Sequence, residues 1–267
     1  MPHAAGLWYE WHGPEEGEVL ILSAGLGGSA SYWTPNLAAF AERYRVLVYD
    51  HRGTGRSDRE LPDKVTVDDF ADDMLALMDT LEIERAHLVG HAAGGVAGLA
   101  LAREAPARLG RLVVVNGWIK ADPHFLRCFE ARLNLLRHVG VEAFLRAQPI
   151  FLYPAPWISS NDAELTNELP HQLAAFPGLK TMEKRIAALA AFDASEWVAD
   201  LRTPIMTLCA YDDMLVPYTC SLEFEIENPA IKHSGLEFGG HACNVTYPAD
   251  FNRKVLRWLA GETLEET

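Results

Sequence analysis

Leu88-Val89-Gly90-His91-Ala92-Ala93-Gly94-Gly95 stands where a short apolar run turns directly into a stretch of small residues. The run before it, residues 86–90 (AHLVG), reads as a buried strand. The run after it, residues 93–102 (AGGVAGLALA), reads as a helix of small side chains that can lie close against a sheet and must stop before Pro106. Glycines at 90 and 94 frame a tight strand-to-helix turn that pushes its central residue into a pocket. The usual occupant of that central position is a serine nucleophile. Here it is Ala92, which has no nucleophilic atom. A helix start rich in Gly and Ala would look the same in isolation, so the reading depends on the rest of the chain.

Working outward, residues 19–24 (VLILSA), 45–50 (RVLVYD), 111–116 (RLVVVN) and 204–210 (PIMTLCA) are continuous apolar runs of strand length. Such runs fit strands covered on both faces. Residues 7–12 are expected to form an antiparallel edge hairpin with the first of them. Val67, Phe70, Met74, Leu77, Met78 and Leu81 recur at spacings of three and four, the mark of an amphipathic helix, with Thr66 and Asp69 as its N-terminal cap. Residues 248–259 read as the last helix. The alternation predicts an α/β fold with a mostly parallel, eight-stranded sheet and helices on both faces. Residues 118–197 break it. They hold helical stretches at 125–138, 141–147, 163–176 and 182–192, punctuated by prolines, and are too long for a plain loop. They are expected to form a helical cap inserted into a core made of residues 1–117 and 198–267.

Beyond the cap, a strand ends in Cys209-Ala210-Tyr211-Asp212-Asp213-Met214-Leu215-Val216-Pro217, and Gly239-Gly240-His241-Ala242-Cys243-Asn244 comes later. Nucleophile, acid, histidine is the chain order of the α/β-hydrolase fold. Asp213, four residues before Pro217, is the expected acid, with Asp212 a turn or surface residue. His241 is the expected base. In this fold one oxyanion-hole N–H comes from the loop after an early strand and one from the residue after the nucleophile. Those are Leu26, in Ala24-Gly25-Leu26-Gly27-Gly28-Ser29, and Ala93. Residues 49–57 (YDHRGTGRS) resemble the D-x-R-G-x-G-x-S loop of these hydrolases, and a structural role is expected for them. His91 is expected to support the site by hydrogen bonding rather than to act in it. The ten histidines and four cysteines show no metal-ligand spacing, and no dinucleotide fingerprint is present, so neither metal nor cofactor is expected.

With 23 Lys and Arg against 37 Asp and Glu, the net charge is −14. That surface repels phosphate backbones and anionic lipids, so nucleic-acid and membrane partners are not expected. Cys128, Cys209, Cys220 and Cys243 are scattered, which fits reduced, mostly buried thiols in a cytoplasmic protein. The N-terminal residues show no signal peptide, and no apolar run is long enough to span a bilayer. The expected partner is a small molecule, and the expected state a monomer or homodimer.

Residues 26–33 (LGGSASYW), 115–118 (VNGW), 127–136 (RCFEARLNLL), 147–157 (AQPIFLYPAPW), 209–217 (CAYDDMLVP) and 239–246 (GGHACNVT) together resemble the RutD family, the α/β-hydrolases of bacterial pyrimidine utilisation. The likeness runs through the cap as well as the core. The resemblance implies hydrolysis of carbamate, or of the related aminoacrylate, with release of ammonium in uracil breakdown. Alanine at the elbow occurs within that family. His241, oriented by Asp213, would then activate water directly, and the Leu26 and Ala93 amides would stabilise negative charge. Carbamate is an anion, so a cation carried by the cap is expected near the pocket, with Arg127 as the candidate. Two other readings stay open at this point. The chain could be a serine esterase or amidase carrying an engineered Ser-to-Ala change at position 92, or a hydrolase homologue that binds a ligand without turnover.

Overall fold

A computed structural model of the chain describes residues 2–262. In chain order these form β1 (His3–Ala4), β2 (Leu7–His12), β3 (Val19–Ser23), α1 (Thr34–Ala41), β4 (Arg45–Tyr49), α2 (Val67–Thr80), β5 (Ala86–His91), α3 (Ala93–Glu104) and β6 (Leu109–Val115). The helices α4 (Pro123–His138), α5 (Val141–Leu152), α6 (Ala155–Ser160), α7 (Asp162–Ala175) and α8 (Leu179–Ala191) follow without a sheet strand among them. The chain then returns through β7 (Ile205–Ala210), α9 (Tyr218–Glu227), β8 (Lys232–Leu236), α10 (Cys243–Thr246) and α11 (Pro248–Leu259). Among the described residues no helix is long and apolar enough to cross a membrane.

The strands form one eight-stranded sheet in the order β1-β2-β4-β3-β5-β6-β7-β8. β3 through β8 run parallel, and β1 and β2 are antiparallel additions at one edge. This corrects one expectation: β2 pairs with β4, not with the strand that follows it in sequence. The reason is that β3 is flanked by β4 and β5, which satisfy both of its edges and leave only the outer edge of β4 for β2.

Side chains alternate across the strands, so each run of apolar residues serves two cores. Ile21, Leu47, Leu88 and Leu112 face a core shared with α2 and α3, which also takes in Phe125, Phe144 and Ile186 from the inserted helices. Leu20, Val46, Val89 and Val113 face the opposite core, closed by Phe40 of α1 and Phe251 and Val255 of α11. α2 begins with a full capping box: Asp69 N–H donates to Thr66 Oγ1, and Thr66 N–H donates to Asp69 Oδ2. The two ends of the insertion are pinned together. Lys120 and Asp193 share a bridge and an ion pair of 2.6 Å, and Ala194 N–H donates to the Ile119 carbonyl.

Candidate active site

The elbow is built by close packing. A Cβ on Gly90 would stand 2.3 Å from the Gly94 carbonyl oxygen, and one on Gly94 would stand 2.3 Å from that of Ser23. Neither position accepts a side chain. Between them Ala92 adopts φ 44° and ψ −104°, a conformation costing an L-residue about 1–3 kcal/mol. Ala92 N–H donating to the Val115 carbonyl and Val96 N–H donating to the Ala92 carbonyl hold it there. Gly94 N–H donates to the Ala24 carbonyl, which brings the loop after β3 against the start of α3. Among the described residues, neither the Leu26 nor the Ala93 N–H donates to a protein acceptor. These are the two amides expected to form an oxyanion hole, and both are unspent.

Asp213 follows β7 and its side chain is fully buried. Its Oδ1 accepts from the backbone N–H of Leu215 and Val216 at 2.7 and 3.0 Å, and its Oδ2 accepts from His241 Nδ1 at 2.8 Å. The carboxylate has no proton to give in that bond, so His241 carries its proton on Nδ1 and presents the Nε2 lone pair. Asp212 turns the other way and accepts from Gly240 N–H, bracing the histidine loop. The structure thus brings Asp213 and His241 together and gives Asp212 the turn role expected of it.

The His241 backbone carbonyl accepts twice, from His91 Nε2 at 2.7 Å and from Asn116 Nδ2 at 2.6 Å. His91 therefore joins the elbow to the histidine loop, the supporting role expected for it. Its ring packs between Tyr32 and His241, with centroids 4.8 and 4.6 Å away. Burial, with the neighbouring His241, holds the His91 imidazole well below its ordinary range, so it stays neutral. Asn116, in the left-handed region at φ 49°, was not singled out in the sequence. Its only signal there is a small polar residue directly after an apolar strand.

The loop at residues 50–57 has the structural role predicted for it. Asp50 accepts from the Ala30 and Arg56 backbone N–H groups and from the Arg56 guanidinium, and Ser57 Oγ donates to the Asp50 carbonyl. His51 adds a link that its sequence position did not suggest. Its ring bonds Ser23 Oγ on one side and accepts from Arg185 Nη2 of α8 on the other. Arg185 also donates from Nε to the Leu26 carbonyl at 3.0 Å and from Nη1 to the Arg52 carbonyl.

Arg127, the expected anion-binding cation, lies on the solvent-exposed side of α4. The buried cations of the inserted helices are Arg132 and Arg185. A legible signal marks both. Each falls on the apolar stripe of its helix, Arg132 with Cys128, Phe129 and Leu136, and Arg185 with Met182, Ile186 and Leu189.

This fold and this arrangement of elbow, acid and histidine define an α/β-hydrolase. The family described as the alpha/beta hydrolase fold matches residues 18–241. A RutD protein of Caulobacter sp. strain K31, named for carbamate hydrolysis, is 49% identical over 96% of this chain and 97% of its own length. Its counterpart in Rhizobium rhizogenes is 45% identical over 94% and 97%. The chain belongs to the RutD family of α/β-hydrolases. Among solved structures, the enol-lactonase of Burkholderia xenovorans LB400 superposes with a TM-score of 0.87 at 24% identity, covering 97% of this chain and all of that one, a likeness of fold.

Proposed function

We propose that this protein hydrolyses a small C–N substrate, carbamate or aminoacrylate, in pyrimidine breakdown, using the His241–Asp213 pair to activate water. The observation that carries the reading is a complete acid–base pair, tied through the His91–His241 carbonyl bond to an elbow with two unspent amide donors and a methyl group where a serine hydroxyl would stand. A methyl leaves room for the attacking water.

With carbamate, His241 Nε2 takes a proton as the water oxygen bonds to the carbon. The Leu26 and Ala93 amides stabilise the charge that develops on oxygen. As the tetrahedral species collapses, the C–N bond breaks and the nitrogen leaves with the proton held on Nε2. The products are bicarbonate and ammonia. Aminoacrylate differs in that its enamine carbon first takes a proton from solvent. Water then bonds to the nitrogen-bearing carbon as Nε2 takes its proton. The C–N bond breaks with that proton passing to nitrogen and the hydroxyl proton returning to solvent, giving a carbonyl product and ammonia. Asp213 fixes the ring tautomer and stabilises the transient imidazolium. Residues 118–197 serve as a lid over this chemistry. The reading is of a cytoplasmic enzyme, in keeping with four buried, unpaired cysteines.

The test is ammonium release above the uncatalysed rate. His241→Ala is expected to lower it by on the order of 10²–10⁴-fold, the usual worth of a positioned base. Turnover unchanged in that variant removes the histidine from the mechanism.

A further inference from the structure

The interior stripe of α4 consists of Phe125, Cys128, Phe129, Arg132 and Leu136, all buried. Arg132 is its misfit, a guanidinium 3% exposed. It lies over the rings of Phe129, Phe144 and Phe151 at 5.4, 5.2 and 5.5 Å. It donates once, from Nη2 to Gln148 Oε1 at a long 3.4 Å. Its Nε–H is buried without an acceptor among the described residues. No carboxylate of the described residues faces it, and the one titratable neighbour acting on it is the Cys128 thiol. Burial pushes its pKa down to about 10, so it remains a cation at neutral pH.

Arg185 shows that this is not the general condition of buried arginine here, since that guanidinium is spent on three acceptors. Aromatic faces offset part of the cost of burying a cation, but they leave its N–H groups unsatisfied. A buried charge needs a counter-charge; Arg132 has none among the described residues, and its buried Nε–H has no acceptor there.

Its location says where the counter-charge comes from. One turn before Arg132, Cys128 Sγ lies 3.9 Å from the Met214 carbonyl, the residue after Asp213. On the other side, Phe151 precedes Leu152, whose carbonyl accepts from the N–H of Ala242, the residue after His241. Arg132 is therefore flanked by the two points at which the inserted helices grip the acid loop and the histidine loop.

We infer that Arg132, with Gln148 beside it, is the anion subsite of the substrate pocket and takes the carboxylate of a small, planar substrate. The two oxygens of a carboxylate match the fork of Nε–H and Nη–H, and the three rings beside the guanidinium suit a flat ligand. The assignment deepens the hydrolase reading and rests on it only for the reaction carried out beneath the subsite.

Calorimetric titration of the full chain with acrylate and with acrylamide tests it, since the two probes share shape and differ in charge. The unsubstituted protein is expected to bind acrylate at least tenfold more tightly than acrylamide. Arg132→Met is expected to lose that discrimination through weaker acrylate binding, with acrylamide unchanged and with no loss of thermal stability. Should Arg132→Met fail to fold, Arg132→Gln, which keeps a donor toward Gln148, reads the same difference. Acrylate affinity unaltered by these substitutions, or no preference for acrylate in the parent, overturns the assignment. His241→Ala, by contrast, is expected to lower turnover by on the order of 10²–10⁴-fold while keeping acrylate binding. Turnover that ignores His241 alongside acrylate binding that needs Arg132 would sink the hydrolytic mechanism and uphold the subsite.

Discussion

Ala92 carries a backbone strained for display and a side chain with nothing to display. The strain is paid for by Gly90 and Gly94, whose hydrogens are the largest groups their neighbours admit, so it does not depend on what residue 92 is. Ala92→Ser therefore puts a hydroxyl onto an elbow already in place. That variant is expected to become reactive toward a fluorophosphonate esterase probe, while the parent stays unlabelled, as read by intact-protein mass spectrometry. Labelling of the parent at any residue, Ser29 or Cys243 included, shows that the nucleophile lies elsewhere. At this scale the sequence was most legible where chemistry and turn geometry coincide, as at Asp213 and His241. It was least legible where a residue acts through its burial. Asn116 and His51 are ordinary polar residues after strands until the fold closes around them. Arg127 is marked in the sequence by its charge alone, but on α4 it faces solvent, whereas the apolar spacing around Arg132 marks the cation that the helix buries.

Among the elements, α2 rests on a cap that can be removed singly. Thr66→Ala deletes the acceptor for Asp69 N–H and is expected to cost about 0.5–2 kcal/mol, read as a lower urea midpoint with an unchanged slope. A midpoint equal to the parent's would mean that packing of Phe70, Met74 and Met78 alone holds the helix. The central parallel strands were readable because burial on both faces makes them continuous apolar runs. β8 shows no such run, because Lys232–Leu236 is the last strand of the sheet, paired on one side only and half polar. Among the inserted helices, α5 was expected to end near residue 147 but continues through Pro149 to Leu152. Pro149 lacks the N–H that would bond the Leu145 carbonyl, so the helix gives up one bond there and still runs on for three residues.

For the whole molecule, two fully buried imidazoles set its tolerance of acid. His51 and His91 are both held well below the ordinary histidine range, by burial first and then by Arg185 and His241 respectively. The unfolded chain takes up these protons at its ordinary pKa near 6.5, whereas the folded chain refuses them until much lower pH. Stability is therefore complete above about pH 6.5 and falls as pH drops below it, by up to about 1.4 kcal/mol per pH unit for each ring. The urea midpoint is expected to fall between pH 7 and pH 5. A flat profile over that window would show that the rings are not kept neutral. Burial does most of this for His51 and Arg185, which donates to its ring, adds to it; the same guanidinium holds the Leu26 carbonyl and the Arg52 carbonyl. One side chain on α8 thus works as an interlock. If, as proposed, α8 belongs to a lid and the Leu26 amide to the oxyanion hole, any lifting of that helix that breaks these bonds also releases the Leu26 loop, and a raised cover is at the same moment a disarmed site.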